Sequence, residues 1–388
     1  MSGIDKIFIR ELRRIRESKS LMFGCVYGPL FSFILVIAIF YKGMPEDLPV
    51  AIVDQDNSTL SNKINAWIDA TSIAESTYKL SNLTDAKILM EEGKVDAIVY
   101  MPKNLERDVL KGVNPELPVF FNNTNIVKGS LLYKGIFTCL STVKAGLKMK
   151  VRTKKSYSQA ELMPSVRPIP FDVHLLYNPY TSYMYFVGMA VLAIMLIAFS
   201  MLTTVFALGT EIRWGTSYKL MKITNGHALP ALLGKLLPYT FIFILHALII
   251  DFLIFGLLKA PLHGSLLTII VSQIFLVFTY QSMAVLLISL TANLRLCLSL
   301  GAAYTMMALS FSGLTFPAMG MPLIAKLFSY LFPYTYYLKI FISQSVKNID
   351  LSIALYDLIP MLVFIALGIL VSGRIKHIFT EEKYWGKR

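Results

Sequence analysis

Long apolar runs separated by polar segments dominate the pattern of this sequence. Six runs lie at residues 21–41, 182–208, 236–258, 266–290, 296–316 and 353–371. Each is close to the roughly 20 apolar residues that an α-helix needs to cross a bilayer. The pattern therefore predicts a polytopic α-helical membrane protein with six transmembrane helices.

Residues 1–20 have the pattern of a basic amphipathic helix before the first run. Apolar residues recur there at three- and four-residue steps, at Ile4, Ile7, Phe8, Leu12 and Ile15. Such a helix is expected to lie in the membrane interface, and a solvated helix leading into the first span is the alternative. Because the basic region is long and no small-residue cleavage pattern follows, we expect a retained signal anchor rather than a cleaved signal peptide.

The insert at residues 42–180 is polar and alternates in character. Strands are predicted at 50–53, 95–100 and 117–121, with a further extended stretch at 166–176. Helices are predicted from Asn57 or Ser58 to 70, from Thr84 or Asp85 to 92, and over 126–157. Strands that alternate with helices indicate an inserted extracytoplasmic α/β domain, which is long enough to bury its own core.

Charge predicts the topology. Basic residues precede the first span, from Lys6 to Lys19, and follow the last span in the tail 374–388. Both termini therefore belong in the cytoplasm, which requires an even number of spans and places the short polar stretch 209–235 inside. The formal net charge of +13 follows from these flanks, so no nucleic acid partner is expected.

The segment 317–342, between the last two runs, is apolar in part but is interrupted by Pro322 and Pro333. We expect re-entrant or interfacial helices, which need protein cover at membrane depth. The alternative is a seventh span, which would place the C-terminus outside.

Short motifs follow one another along nearly the whole chain. They are Val53-Asp54-Gln55-Asp56-Asn57-Ser58, Leu176-Tyr177-Asn178-Pro179, Glu211-x-Arg213-x-Gly215-Thr216, Leu220, Ile223-Thr224, Gly234-Lys235-x-x-Pro238, Ser312-Gly313, Phe316-Pro317 and Met321-Pro322. In order and spacing they resemble the type-2 ABC transporter permeases, whose large extracytoplasmic domain lies between the first two spans. The sequence departs from that pattern where Ile212 either separates Glu211 from Arg213 or replaces the arginine of the family's pair, and where Asn225 replaces a proline.

The resemblance implies a permease subunit of an ATP-binding-cassette exporter, without a cofactor, in the bacterial cytoplasmic (inner) membrane. The partners it implies are a separate ATPase subunit, a second permease copy or paralogue, the lipid bilayer and a periplasmic adaptor. The ATPase would be coupled through Glu211, Arg213, Gly215, Thr216, Lys219 and Lys222. Without the resemblance, these residues have the charge of any cytoplasmic loop.

Ionisable residues within a predicted span are candidates for function, because a charge at that depth is costly. His246 and Asp251 are therefore candidates for a substrate path or a proton role, and a hydrogen bond from Asp251 to a neighbouring helix is the alternative. Gln273 and Gln281 are expected to join helices. A gate is expected at Ser312, Gly313, Phe316, Pro317 and Pro322, with simple helix packing as the alternative.

No catalytic or metal site is predicted. Gly226 to Lys235 is not a phosphate loop, since Leu236 stands where a Ser or Thr hydroxyl would bind Mg²⁺. The five histidines and three cysteines form no ligand pattern, and Cys25, Cys139 and Cys297 have no paired spacing. The rival function is a membrane-anchored extracytoplasmic binding or sensing protein that does not transport.

Overall fold

The computed structural model describes residues 3–111, 113, 115–153, 177–178, 181–347 and 349–386. The chain forms two compact units. The first, here called the membrane unit, comprises Met1–Gly43 and Leu175–Arg388, and the second comprises Met44–His174.

Six helices in the described part of the membrane unit are long and apolar enough to cross a bilayer. They are span 1 (Lys19–Phe40), span 2 (Met184–Arg213), span 3 (Ala228–Leu257), span 4 (Leu266–Thr291), span 5 (Leu294–Phe311) and span 6 (Leu351–Thr380). The predicted polytopic helical membrane protein with six spans is thus confirmed. An amphipathic helix, Gly3–Glu17, precedes span 1 and is called the N-terminal helix below.

Several spans change helical geometry along their length. Wider π-helical turns lie at Phe23–Tyr27, Met184–Gly188, Phe252–Leu257 and, after span 5, Ser343–Lys347. In span 1 the π-helical turn ends at Tyr27, two residues before Pro29. Span 6 is built from the helices Leu351–Tyr356, Leu358–Leu370 and Ser372–Thr380. Short 3₁₀ turns lie at Ala318–Gly320 and Glu382–Tyr384.

Buried amides on span 4 hold it to span 3. The Thr240 hydroxyl donates to Gln281 Oε1 at 2.7 Å, and Gln273 Nε2 donates to Asp251 Oδ1 at 2.8 Å. The prediction that Gln273 and Gln281 join helices is therefore confirmed, as is the alternative that Asp251 bonds to a neighbouring helix. A hydrogen bond inside the bilayer adds specificity to packing that has no hydrophobic driving force.

Span 6 approaches span 4 closely at Gly368. A methyl group added there would lie 2.6 Å from Ser282 Cβ and 2.8 Å from its Cα. We expect Gly368→Ala to lower the unfolding temperature of the purified protein, because overpacking costs about 1–3 kcal/mol. The control is Gly373→Ala, since no atom of the described part of the chain lies within 4 Å of a methyl group there. Equal unfolding temperatures for the two variants would contradict this close packing.

The segment between spans 5 and 6 contains two short helices, Leu323–Ser329 and Pro333–Ile342. Pro322 caps the first and Pro333 begins the second, as their fixed backbone angle favours. With 7 and 10 residues, neither helix is long enough to span a bilayer, so the alternative of a seventh span is not supported.

The predicted loop at 209–235 is mostly helical. Span 2 continues to Arg213, a helix follows at Ser217–Ile223, and span 3 begins at Ala228, before the predicted 236. We call Ser217–Ile223 the connecting helix. The turns on either side use positive φ angles, +64° at Gly215 and +79° at Gly226, which glycine adopts without strain.

The unit Met44–His174 contains a small sheet in the order β2-β1-β3-β4. Its strands are β1 (Leu48–Asp54), β2 (Ala74–Leu80), β3 (Ala97–Met101) and β4 (Val119–Phe121). β1 is parallel to β2 and β3, and β4 is antiparallel to β3. Val50 and Ile52 face one hydrophobic core and Ala51 and Val53 the other, which explains the unbroken apolar run of β1.

Helices cover both faces of this sheet. They are Thr59–Asp69, Leu83–Glu91, Leu105–Leu110 and Ile126–Thr153. The predicted cap at Ser58 is confirmed, whereas Asn82 rather than Thr84 or Asp85 caps the second helix. The strand β2 was not predicted, because it is a polar edge strand with alternate residues in water. The predicted extended stretch at 166–176 and the helical residues 154–157 lie outside the described residues.

Candidate functional site

The N-terminal helix has one buried face, formed by Ile7, Glu11 and Ile15 at four-residue steps. This spacing places the three side chains on one side of a helix. The helix packs against span 3, where Gly234 lets its backbone come close to Ile4 and Ile7. A carboxylate therefore lies fully buried between two apolar residues and needs partners.

Glu211, on the last turn of span 2, accepts hydrogen bonds from three cations. Its Oε1 lies 2.8 Å from Arg10 Nη2, 2.7 Å from Arg14 Nη1 and 3.1 Å from Lys235 Nζ. The hydroxyl of Thr216 donates to its other carboxylate oxygen. The carboxylate has no exposed surface, so all of its hydrogen bonds are made within the protein.

Lys235 lies in span 3 between two carboxylates. Its Nζ is 2.9 Å from Glu11 Oε2 and 3.1 Å from Glu211 Oε1, and its side chain is fully buried. The Tyr239 hydroxyl, one turn further along span 3, donates to Glu11 Oε2 at 3.1 Å. Arg14 also donates to the carbonyl of Ala207 at 3.2 Å and to the Thr210 hydroxyl.

These contacts join the N-terminal helix to spans 2 and 3 in one group. We call it the ionic cluster; its charged members are Arg10, Glu11, Arg14, Glu211 and Lys235. Taking a charge out of water costs several kcal/mol per ion, and the cost is recovered only with good geometry and several partners. The cluster therefore holds its three helices in one arrangement, because separating them would leave buried charges unpaired.

The surface beside the cluster is exposed. Trp214 and Tyr218 are 71% and 50% exposed, and Lys219 and Lys222 are also exposed. The Arg213 guanidinium is half-buried and lies over the Trp214 ring, with 5.4 Å between its Cζ and the ring centroid. We call Trp214, Tyr218, Lys219 and Lys222 the connector face. It presents two cations and two aromatic rings.

Two residues near the C-terminus, Phe379 and Trp385, contact the connecting helix and the turn before it. The Ser217 hydroxyl donates to the carbonyl of Phe379 at 3.1 Å. Gly215 lies against the Trp385 ring, where a Cβ atom would be 3.0 Å from Trp385 Cε3. Gly215 and Thr216 thus occupy the turn between two helices.

The predicted coupling residues fall into two groups. Glu211 and Thr216 belong to the ionic cluster, while Lys219 and Lys222 lie on the connector face, with Arg213 at its edge. Sequence analysis did not identify Arg10, Glu11, Arg14, Lys235 and Tyr239 as site residues. Two signals were present: Glu11 occupies an apolar position of an amphipathic helix, and Lys235 lies at the start of an apolar run.

The residues predicted for the substrate path and the gate have partners outside the ionic cluster. His246 Nδ1 is 2.8 Å from the carbonyl of Ile242, and its ring lies against Phe33 and Phe243. Asp251 bonds to Gln273 instead, so the structure assigns the two residues different neighbours. At the predicted gate, Ser312 bonds to the carbonyl of Leu309, Gly313 has φ +88°, and Phe316 is 54% exposed. Pro317 and Pro322 flank a 3₁₀ turn there.

Within the described ranges, no group of three or more His, Cys, Asp and Glu side chains is arranged to hold a metal ion. The charged side chains of the ionic cluster are paired with one another.

Comparison with known families agrees with this architecture. The sequence model of the ABC-2 family transporter proteins matches residues 19–374, which include all but the ends of the chain. No curated protein sequence matches the chain significantly. A match over this length, on a chain with six candidate spans, is sufficient to assign the family. The chain therefore belongs to the ABC-2 family of transporter proteins and is a membrane-spanning permease component of an ABC transporter.

Proposed function

We propose that this permease exports a substrate outward from the cytoplasm or the inner leaflet, driven by a separate ATPase subunit. Membership of the ABC-2 family implies partnership with an ATP-binding-cassette ATPase. Both termini and the connector face would then lie in the cytoplasm of a bacterial cell, with residues 42–180 outside. The basic residues at both ends of the chain support this orientation.

The observation that carries the proposal is the ionic cluster beside the connector face. Trp214 directly follows span 2, and Glu211 lies one turn before it on the same helix. A push on the connector face is therefore applied to span 2 and reaches span 3 through Lys235 and the N-terminal helix through Arg10 and Arg14. Rigid elements joined by buried charges move together rather than deform.

The predicted coupling residues then divide between contact with the ATPase and positioning within the permease. Lys219 and Lys222 contact the ATPase with Trp214 and Tyr218, since exposed cations steer a charged partner and aromatic residues anchor it. Glu211 acts inside the permease as a positioning residue. A second permease copy or paralogue completes the path, with the gate at Ser312 to Pro322 and a periplasmic adaptor on the outer side.

Charge reversal on the connector face tests the proposal. We expect Lys219→Glu with Lys222→Glu to weaken association with the ATPase at least tenfold, about 1.4 kcal/mol, and to lower permease-stimulated ATP hydrolysis. Co-purification and binding titration in lipid nanodiscs measure this effect.

Lys63→Glu with Lys144→Glu is the matched control, because both lysines are exposed in the other unit. It should bind the ATPase as the wild type does. If the connector-face variant also binds normally, the proposed docking surface is wrong, and a binding or sensing function without transport gains support.

A further inference from the structure

Span 3 changes geometry at a buried acid. Its regular helix ends at Asp251, and the π-helical segment Phe252–Leu257 follows directly. Such wide turns are frequent at functional sites. Asp251 is 6% exposed and its partner on span 4, Gln273, is 2% exposed.

Among the residues that the structure describes, two oxygen atoms of this pair have no hydrogen-bond donor. Gln273 Nε2 donates to Asp251 Oδ1 at 2.8 Å, but Asp251 Oδ2 and Gln273 Oε1 are both buried and have no partner among those residues. Both atoms are acceptors when the carboxyl is ionised. A buried acceptor without a donor costs about 1–3 kcal/mol, and more when it is charged. The ionised form of Asp251 therefore fits this environment poorly.

No cation compensates the carboxyl. Among the described residues, no Lys, Arg or His lies within ion-pair distance of Asp251. The groups that face it are Gln273 of span 4 and Tyr337 of the helix Pro333–Ile342, and of these only Tyr337 titrates. His246, on the same span, is bonded to Ile242 and packed between aromatic rings.

We infer that Asp251 is a proton-binding site within the membrane unit, and that its carboxyl carries a proton on Oδ2 in this arrangement. A hydronium ion of the solvent transfers the proton and leaves as water, and the new O–H bond on Oδ2 removes the carboxylate charge. The same bond converts one of the two unsatisfied acceptors into a donor. A neutral carboxylic acid can lie between two helices without a counter-ion. Burying an unpaired carboxylate in the same place has a large free-energy cost.

The proton then controls a contact between two spans. While Asp251 is neutral, it packs with Gln273, and spans 3 and 4 stay together. As pH rises and the proton leaves, the carboxylate is drawn towards water and this contact weakens. The inference concerns the chain itself and does not depend on the direction of transport or on the ATPase.

Infrared spectroscopy of the full chain in lipid nanodiscs tests the inference. We expect the wild type at neutral pH to show a protonated-carboxyl C=O band that Asp251→Asn lacks and that disappears as pH rises. Asp350→Asn is the control, because Asp350 is exposed and caps Ser352, and it should keep the band. If Asp251→Asn removes no such band, Asp251 is ionised and the inference is wrong.

A second variant keeps the test decisive if Asp251→Asn folds poorly. Gln273→Leu retains the carboxyl but removes its one hydrogen-bond donor, which favours the neutral form. Its band should persist to higher pH than that of the wild type. Loss of the band in Gln273→Leu would overturn the inference independently of the first variant.

Discussion

The Glu211→Gln variant is expected to unfold at a markedly lower temperature than the wild type, with a loss of about 3–5 kcal/mol in the free energy of unfolding. The wild-type carboxylate neutralises part of the charge of Arg10, Arg14 and Lys235. A neutral amide leaves Glu11 as the remaining anion among three cations, and Lys235 has no access to water. The cost is that of an uncompensated buried charge.

Thermal unfolding of the purified protein in detergent measures this loss. The control is Glu92→Gln, because Glu92 also pairs with a lysine, Lys94, at 2.7 Å, but both side chains are about half exposed. An exposed pair is worth about 0–1 kcal/mol, so the control should unfold near the wild-type temperature. Comparable shifts in the two variants would show that burial of Glu211 does not determine the effect.

A compensating substitution tests the same reasoning. Glu211→Gln combined with Lys235→Met removes one cation along with the anion and keeps the volume of the side chain. It should recover part of the stability lost in Glu211→Gln alone, since residues of one network do not act additively. If the double variant loses as much as the sum of both single variants, the two residues are not coupled.

Gly234→Ala is expected to displace the N-terminal helix from span 3. A Cβ atom at this position would lie 2.9 Å from the carbonyl oxygen of Ile4 and 3.1 Å from Ile7 Cβ. The Ile4 oxygen belongs to helix backbone, so it cannot move aside without moving the helix. Because Arg10, Glu11 and Arg14 lie on that helix, the ionic cluster would open as well.

Limited proteolysis with trypsin measures this displacement, because Arg13, Arg16 and Lys19 are exposed cleavage sites on or just after the N-terminal helix. We expect cleavage there to be at least tenfold faster than in the wild type, which corresponds to about 1.4 kcal/mol of local stability. Gly146→Ala is the matched control, since a methyl group added to this helical glycine has no atom of the described residues within 4 Å. Unchanged cleavage in Gly234→Ala would refute the close approach.

Hydrophobic pattern was sufficient to predict the spans, because a bilayer requires long apolar helices regardless of their neighbours. It failed at the start of span 3. Lys235 is charged, and so the sequence placed it in a loop, whereas its two carboxylate partners allow the helix to begin at Ala228. Local pattern reports which residues are charged, but tertiary pairing decides whether they can be buried.

The candidate site was predicted in part for the same reason. Glu211 was identified from a motif, but its burial depends on Arg10, which is 201 residues earlier in the chain. No periodicity connects positions so far apart. The exposure of Lys219 and Lys222 was easier to predict, because a lysine in water needs no partner from elsewhere in the chain.

The members of the ionic cluster lie far apart in the sequence, so they are synthesised at different times. At ~5–20 residues per second, Glu211 is synthesised roughly 10–40 s after Arg10. During that time a basic amphipathic helix can rest on the bilayer surface with its charges in water. We expect this helix to pack against spans 2 and 3 only after both are inserted, because Glu211 and Lys235 must be in place before its charges can be buried. The ion pairs that join these helices would then form late in biogenesis, and a permease with misinserted spans would lack them.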